Sequence, residues 1–177
     1  MRWFAVLAFL VMSLACSIQT YAGGWYKTEW GMTEDDVAKS LGIYPSPYSG
    51  DPNKKSGFNY RINNYPIANK KCYVFFAIHE NGLSGVGITA EDISLDDAVD
   101  FREMLVNKYG YPKEKDREIN AGSNITNKIT TWTTDDTNIT FIHQFNGSEL
   151  YSQYRKIIIQ YRPKIKKENP ENNEDRF

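Results

Sequence analysis

Two stretches of this chain begin like helices, and each is followed by runs typical of β-strands. Thr33 and Ser94 each precede acidic residues and spaced apolar residues. A hydroxyl side chain caps the first backbone N–H groups of a helix, and nearby carboxylates favour its positive end. The pattern predicts helices from Thr33 to Leu41 and from Ser94 to about Tyr109, each ending before a glycine.

Strand patterns follow each predicted helix. Alternating or aromatic runs cover residues 58–62, 73–79, 83–89, 129–134, 138–145 and 150–161, and Asn-Gly turns lie at 81–82 and 146–147. The order helix, three strands, helix, three strands predicts an α+β fold with two helices packed on an antiparallel sheet. A tandem α-β-β-β pseudo-repeat is one interpretation of this order. Chance recurrence of helix caps and Asn-Gly turns is the other.

The N-terminus has the three regions of a secretory signal peptide. Arg2 precedes the apolar run 3–12, and small residues follow. This run is too short to cross a bilayer, which needs about 20 residues. Residues 1–22 are therefore expected to be removed before Gly23, which predicts a periplasmic or secreted protein. The alternative is a lipobox in which Cys16 is lipidated, which would make the chain an outer-membrane lipoprotein.

The rest of the chain predicts one domain and a tail. Residues 23–161 have the length of a single α+β domain. Residues 162–177 are rich in Lys, Glu, Asn and Pro and offer little to bury, so they are expected to form a disordered tail.

Composition and motifs argue against several classes of function. The formal net charge of -1 gives no general attraction to nucleic acid, and two histidines leave little for a metal or general-base site. Acidic clusters such as residues 34–36 lie in the first turns of predicted helices, where negative charge is favoured in any case. No motif for a catalytic nucleophile or a phosphate-binding loop lies in the structural context that such a motif needs. We therefore expect no catalytic residues, no cofactor, no metal, no nucleic-acid partner and no enzyme activity.

Two further features concern burial and recognition. Cys72 lies beside Tyr73–Phe76 in a strand-like run, which predicts a buried and inert thiol. Tyrosines surround a proline-rich loop, and tyrosine offers a large contact area at low entropic cost. The candidate partner-binding residues are Tyr44, Tyr48, Tyr60 and Tyr65.

Three short segments carry a resemblance to a known group of proteins. They are Trp30-Gly-Met-Thr33 with Asp35, Asp36 and Val37, the hairpin Glu80-Asn-Gly-Leu-Ser-Gly-Val86, and Lys108-Tyr-Gly-Tyr-Pro112. Together they resemble the small exported proteins of the SmpA/OmlA (BamE-type) and β-lactamase-inhibitor-protein-like group. This resemblance implies helices on one face of an antiparallel sheet that binds another protein in the bacterial envelope.

These observations favour a non-catalytic exported envelope protein that binds another protein or supports envelope assembly. Its partner is expected to be an envelope protein, and membrane contact is expected only if Cys16 is lipidated. The alternative is a small hydrolase or a ligand- or glycan-binding protein whose site leaves no motif in the sequence.

Overall fold

Eight strands form one antiparallel sheet, accompanied by two helices. The computed structural model describes residues 24–49, 57–113, 116–120 and 124–164. The elements are, in chain order, α1 (Glu34–Leu41), β1 (Ser46–Pro47), β2 (Tyr60–Ile67), β3 (Lys70–His79), β4 (Gly82–Glu91), α2 (Leu95–Tyr109), β5 (Arg117–Asn120), β6 (Ile125–Thr133), β7 (Thr137–Asn146) and β8 (Arg155–Pro163). Their spatial order is β1-β2-β3-β4-β8-β7-β6-β5, so pairing of β4 with β8 joins the two sets of strands.

Both predicted helices are confirmed, and each begins with a capping box. The Thr33 hydroxyl accepts a hydrogen bond from the backbone N–H of Asp36 at 3.2 Å, and the Asp36 carboxylate accepts one from the backbone N–H of Thr33. Ser94 and Asp97 repeat this exchange at the start of α2. These contacts satisfy donors that a helix cannot pair internally. The Thr33 hydroxyl and the Thr33 backbone N–H both donate to the Asp36 carboxylate, and these hydrogen bonds lower the pKa of the Asp36 carboxyl.

The hairpin predicted at 81–82 is also confirmed. Gly82 begins β4 with φ at 81°, a left-handed conformation that glycine adopts without strain. The backbone N–H of Leu83 donates to the carbonyl of Met32, and the N–H of Gly31 donates to the carbonyl of Leu83. The segment before α1 is therefore fastened to the start of β4.

The core lies on one face of the sheet. Alternating residues of the central strands are buried there, including Val74 and Phe76 on β3, Ile88 on β4 and Ile159 on β8. Both helices add residues to the same cluster, among them Val37, Phe101 and Leu105. The helices therefore contribute to the core from this face of the sheet.

The predicted fold class is wrong. Strands account for 48% of the described residues and helices for 18%, so the molecule is a sheet-rich fold dominated by one eight-stranded sheet, not two helices packed on a sheet. The predicted α-β-β-β repeat is also wrong, because four strands follow each helix. The two extra strands, β1 and β5, lie at the edges and all their residues are exposed. Edge pairing uses backbone hydrogen bonds, so these segments needed no alternation of apolar residues.

Several predictions fall on residues outside this description. The signal peptide at 1–22 and the lipidation candidate Cys16 lie outside the described residues, as do residues 165–177 of the expected tail. Arg162 and Pro163, the first two residues of that expected tail, belong to β8.

Candidate interaction surface on the open sheet face

The sheet face that points away from the core forms a continuous surface, which we call the open face. Residues directly opposite each other on paired strands share a face. One row across this face consists of Arg61, Phe75, Gly87, Gln160, Thr140 and Thr131. The adjacent row consists of Tyr73, Thr89, Ile158, Ile142, Ile129 and Arg117. Among the described residues, neither helix covers these side chains, most of which are partly exposed.

Four aromatic rings and two guanidinium groups are packed together at one end of the open face. This aromatic–arginine cluster consists of Tyr48, Phe58, Arg61, Tyr73, Phe75 and Arg162. Phe75 lies at its centre, with ring centroids 5.1 Å from Tyr48, 6.1 Å from Phe58 and 6.4 Å from Tyr73. Such separations suit tilted and edge-to-face ring packing.

Both arginines of the cluster stack on rings. The guanidinium carbon of Arg61 lies 5.0 Å from the ring centroid of Tyr48 and 5.6 Å from that of Tyr73. The guanidinium carbon of Arg162 lies 5.0 Å from the ring centroid of Phe58. A cation at this distance from a ring face is attracted by the ring quadrupole. The arginines are therefore held within the cluster and do not extend freely into solvent.

Two glycines of β4 give this cluster its shape. The guanidinium of Arg162 occupies the space that a Cβ on Gly85 would need, and the Phe58 ring lies over Gly87. A side chain at Gly85 or Gly87 would therefore displace the guanidinium or the ring. The cluster is an aromatic surface that also holds two guanidinium groups.

The structure separates the four candidate tyrosines. Tyr48 belongs to the aromatic–arginine cluster, and Tyr44 is 73% exposed just before β1. Tyr60 and Tyr65 are partly buried and pack against the core cluster. Tyr65 lies 5.5 Å from the ring of Trp25, edge to face. Of the four tyrosines, only Tyr48 therefore belongs to the aromatic–arginine cluster.

The sequence reasoning missed the other members of the cluster. Tyr73 and Phe75 lie in a run that suggested a buried strand, yet they alternate with the core residues Val74 and Phe76. Arg61 likewise precedes the core residue Ile62. The signal was the period-two alternation itself, which assigns every second residue of a strand to the other face.

A second group of polar residues lies on the core face at the β7–β8 end, and His143 and Arg155 are its buried members. One carboxylate oxygen of Glu149 lies 3.3 Å from the Nδ1 atom of His143, and the other lies 3.3 Å from the Lys128 ammonium. Arg155 donates to the carbonyls of Ser152 and Glu149 at 2.6 and 2.5 Å. These contacts fix the connection between β7 and β8 from its inner side.

Burial lowers the pKa of His143 from its usual value. The positive charges of Arg155 and Lys128 act in the same direction, whereas Glu149 opposes them. The imidazole is therefore held neutral near pH 7. Its Nε2 atom and the Nε atom of Arg155 have no hydrogen-bond partner among the described residues.

Neither histidine is part of a described catalytic arrangement. His79 is exposed at the β3–β4 hairpin and lies in an open depression with Asn59, Ile78 and Glu80. His143 is on a different hairpin and faces the core side. Within the described segments, no three residues of the His, Cys, Asp and Glu types are placed to hold a metal ion.

The prediction that Cys72 is buried is confirmed. Its side chain lies in β3 with 1% exposure. Burial raises the pKa of the thiol to about 11. The sulfur is therefore a protonated thiol at neutral pH, which is a poor nucleophile.

Neither described helix is both long enough and apolar enough to span a bilayer. The chain matches no known protein-family model, no curated protein and no solved structure.

Proposed function

We propose that this chain is a non-catalytic exported envelope protein that binds another protein through the open face of its sheet. The observation that carries this proposal is the aromatic–arginine cluster, which places four rings and two guanidinium groups on a face that no described helix covers. Tyr and Arg are enriched among residues that dominate protein–protein binding energy.

The arrangement of the cluster suits binding with little ordering cost. The ring of Phe75 is supported by three other rings, and Arg61 is stacked between Tyr48 and Tyr73. Side chains that are already held in place lose less conformational entropy when a partner arrives. A preorganised surface of this kind favours a protein partner, because Tyr and Arg side chains supply much of the binding energy at protein interfaces.

The sequence supports the compartment and the class of partner. The N-terminal charge and apolar run favour export, and the segment beginning at Trp30 resembles exported proteins that bind other envelope proteins. In this proposal the partner is an envelope protein and the chain is periplasmic or secreted. Anchoring of the chain through Cys16 would place the same open face at the outer membrane.

Co-purification from envelope extracts tests the proposal with two paired variants. Tyr48→Ala with Tyr73→Ala removes both rings that hold Arg61, so capture of the partner should fall at least about tenfold. The matched control is Tyr111→Ala with Tyr151→Ala. These tyrosines are 81% and 84% exposed and lie outside the cluster.

The expected result is loss of one discrete partner in the cluster variant and retention in the control variant. Both variants should melt as cooperatively as the unaltered protein. Equal retention of the partner by the two variants would contradict binding at the open face. So would a correctly processed protein whose only reproducible activity is turnover of a substrate.

A further inference from the structure

We infer that protonation of His143 releases the connection between β7 and β8, residues 147–154, while the rest of the sheet stays folded. This inference concerns a conformational switch in the fold and is independent of the proposed function. Three observations carry it: polar contacts hold the connection, few apolar contacts add to them, and the imidazole lies where a positive charge is unfavourable.

Polar contacts on the core side hold the connection in place. Arg155 on β8 donates to the backbone carbonyls of Glu149 and Ser152. The Glu149 carboxylate lies between His143 on β7 and Lys128 on β6, at 3.3 Å from a nitrogen of each. All three strands at this end of the sheet therefore contact the connection through polar or charged side chains, and His143 is one of them.

The backbone of the connection also closes around the Ser152 hydroxyl. This hydroxyl accepts hydrogen bonds from the backbone N–H groups of Asn146 and Tyr154, at 2.9 and 3.2 Å. On the opposite side of the sheet, the Tyr154 hydroxyl donates to the side-chain carbonyl oxygen of Gln144 at 3.3 Å. The connection thus contacts both sides of the β7 end, so its release would alter the open face at this corner as well.

Few apolar contacts add to these polar ones. Leu150 and Tyr151 are 69% and 84% exposed, and Ser152 is the one buried residue of the connection. Ile157 and Ile159 of β8, in contrast, are fully buried in the core. A segment with few buried apolar contacts opens at a much lower free energy than the core does. The connection can therefore open while β7 and β8 remain paired.

The neutral imidazole of His143 carries its proton on Nδ1. A carboxylate can only accept hydrogen bonds, so we assign the Nδ1 proton to the contact with Glu149. A second proton would enter at Nε2, which is buried and has no hydrogen-bond partner among the described residues. Burying the N–H of a cation without an acceptor is costly. Water supplies that acceptor once the connection has moved away, so protonation favours the open form.

Two cations already face the imidazole. Lys128 is its cross-strand neighbour on β6, and Arg155 lies two residues from its other cross-strand neighbour, Ile157 of β8. Glu149 is the carboxylate that faces both cations, and Lys128 shares it with the imidazole. Burial, Arg155 and Lys128 lower the pKa of His143, and Glu149 raises it by less. A third positive charge in this group is therefore resisted in the closed form and accepted in the open form.

The side of α2 supplies no second carboxylate to His143 within the described segments. Arg102 of α2 lies 3.8 Å from one oxygen of Asp116, and the other oxygen accepts a hydrogen bond from the Thr130 hydroxyl at 2.6 Å. Asp116 is therefore engaged beside Thr130, and Glu149 is the carboxylate that contacts the imidazole.

Amide hydrogen exchange of the full chain at about pH 7 and about pH 5 tests the inference. The N–H groups of Asn146 and Tyr154 are the reporters, because both donate to Ser152. Their protection factors, which correct for the intrinsic pH dependence of exchange, should fall at least about tenfold at the lower pH. Addition of about 1 M urea should hardly change this loss, because a local opening exposes little surface. Amides of β3 and β4 should remain far better protected at both pH values.

Two substitutions at the polar group should remove or reduce the acid effect. His143→Gln has no titrating group at this position, so the reporters should be equally protected at both pH values. Lys128→Gln removes one of the two facing cations, so His143 can be protonated in the closed form and the loss should shrink to about threefold or less. The matched control is Lys156→Gln, which makes the same change in net charge. Lys156 pairs with Glu91 on the other face of the sheet, so this variant should lose protection as the unaltered protein does.

Unchanged protection of the reporters at about pH 5 would overturn the inference. So would an equal loss of protection in His143→Gln, which would assign the effect to another titrating group. Equal reduction of the loss in Lys128→Gln and Lys156→Gln would show a dependence on net charge alone. Reporters that share the protection and the urea dependence of β3 and β4 would show that the connection opens only when the whole protein unfolds. If His143→Gln does not fold, the comparison of the two lysine variants decides by itself.

Discussion

The ring of Phe58 occupies the space above Gly87 that a side chain at this position would fill. A Cβ atom built on Gly87 would lie 2.9 Å from the far carbon of the Phe58 ring. Real Cβ atoms do not approach other atoms this closely, so the ring would have to move. Phe58 also packs against the ring of Phe75 and against the guanidinium of Arg162. The arrangement of the cluster therefore depends on the absence of a side chain at Gly87 on β4.

Gly87→Ala is therefore expected to weaken partner binding more than it changes folding. The strand backbone accepts alanine, and the cost of moving one partly exposed ring should be about 1 kcal/mol. Capture of the partner should fall several-fold because Phe58 and Arg162 lose their positions. Val99→Ala, at a position of α2 that is 50% exposed, is the control and should leave capture unchanged. A fully retained partner in Gly87→Ala would show that the cluster geometry is not used.

Gly82→Ala should lower the free energy of unfolding more than Gly87→Ala or Gly147→Ala does. An alanine Cβ would overlap the carbonyl group of Gly31, which is backbone and cannot rotate away. The position also has a φ of 81°. We expect a loss of at least about 3 kcal/mol in the free energy of unfolding, measured by urea titration.

Gly147→Ala provides the comparison for that measurement. Gly147 has a φ of 68° but no atom within 4 Å of its built Cβ. Only the conformational strain remains, so the expected loss is about 1 kcal/mol. Similar losses of unfolding free energy in the two variants would mean that the packing of Gly31 against the start of β4 contributes nothing to stability.

His143 should make the protein less stable in mild acid. Its pKa is lowered in the folded state by burial, while Arg155 and Lys128 oppose protonation and Glu149 favours it. Below about pH 6.5 the unfolded chain takes up a proton that the folded imidazole binds less well. The stability that neutral His143 contributes is thus complete above this pH and declines as the pH falls toward the folded pKa.

Urea unfolding between about pH 7 and about pH 5 measures this effect. His143→Phe should reduce the pH dependence of the unfolding free energy. Ile142→Phe, on the other face of β7, is the control and should leave it unchanged, because this variant introduces the same ring without removing a titratable group. An identical pH profile for the unaltered protein and His143→Phe would show that burial of the imidazole is not what limits its protonation.

The thiol of Cys72 should be protected until the protein unfolds. Its pKa of about 11 and its 1% exposure both suppress attack on a thiol reagent. Labelling at neutral pH should be at least about a hundredfold slower in the folded protein than in denaturant, using a Cys16→Ser background. Equal rates in both states would place Cys72 on the wrong face of β3.

The helices and the central hairpin could be predicted because their signals are local. Thr33 and Ser94 each exchange hydrogen bonds with an acid three residues later, and Gly82 supplies the turn of the β3–β4 hairpin. The short strand at 46–47 and the strand at 117–120 could not be found this way. Their residues are exposed, and the partner strand rather than any apolar pattern determines their conformation.

The candidate surface was harder to predict than the core. Tyr48 was identified among the tyrosines near the proline-rich loop, but its contact with Phe75 is set by packing across β1, β2 and β3. Arg61 and Arg162 are 101 positions apart, and both reach the cluster because β4 pairs with β8. No local pattern carries that long-range pairing, since it forms only when the two sets of strands join.

Site-specific photocrosslinking in intact cells tests binding at the open face most directly. A benzoylphenylalanine in place of Tyr73, which is 39% exposed within the cluster, should yield a discrete covalent adduct with one envelope protein. The same photoreactive residue in place of Tyr151, outside the cluster, should yield none. An adduct from position 151 with none from position 73 would contradict the account.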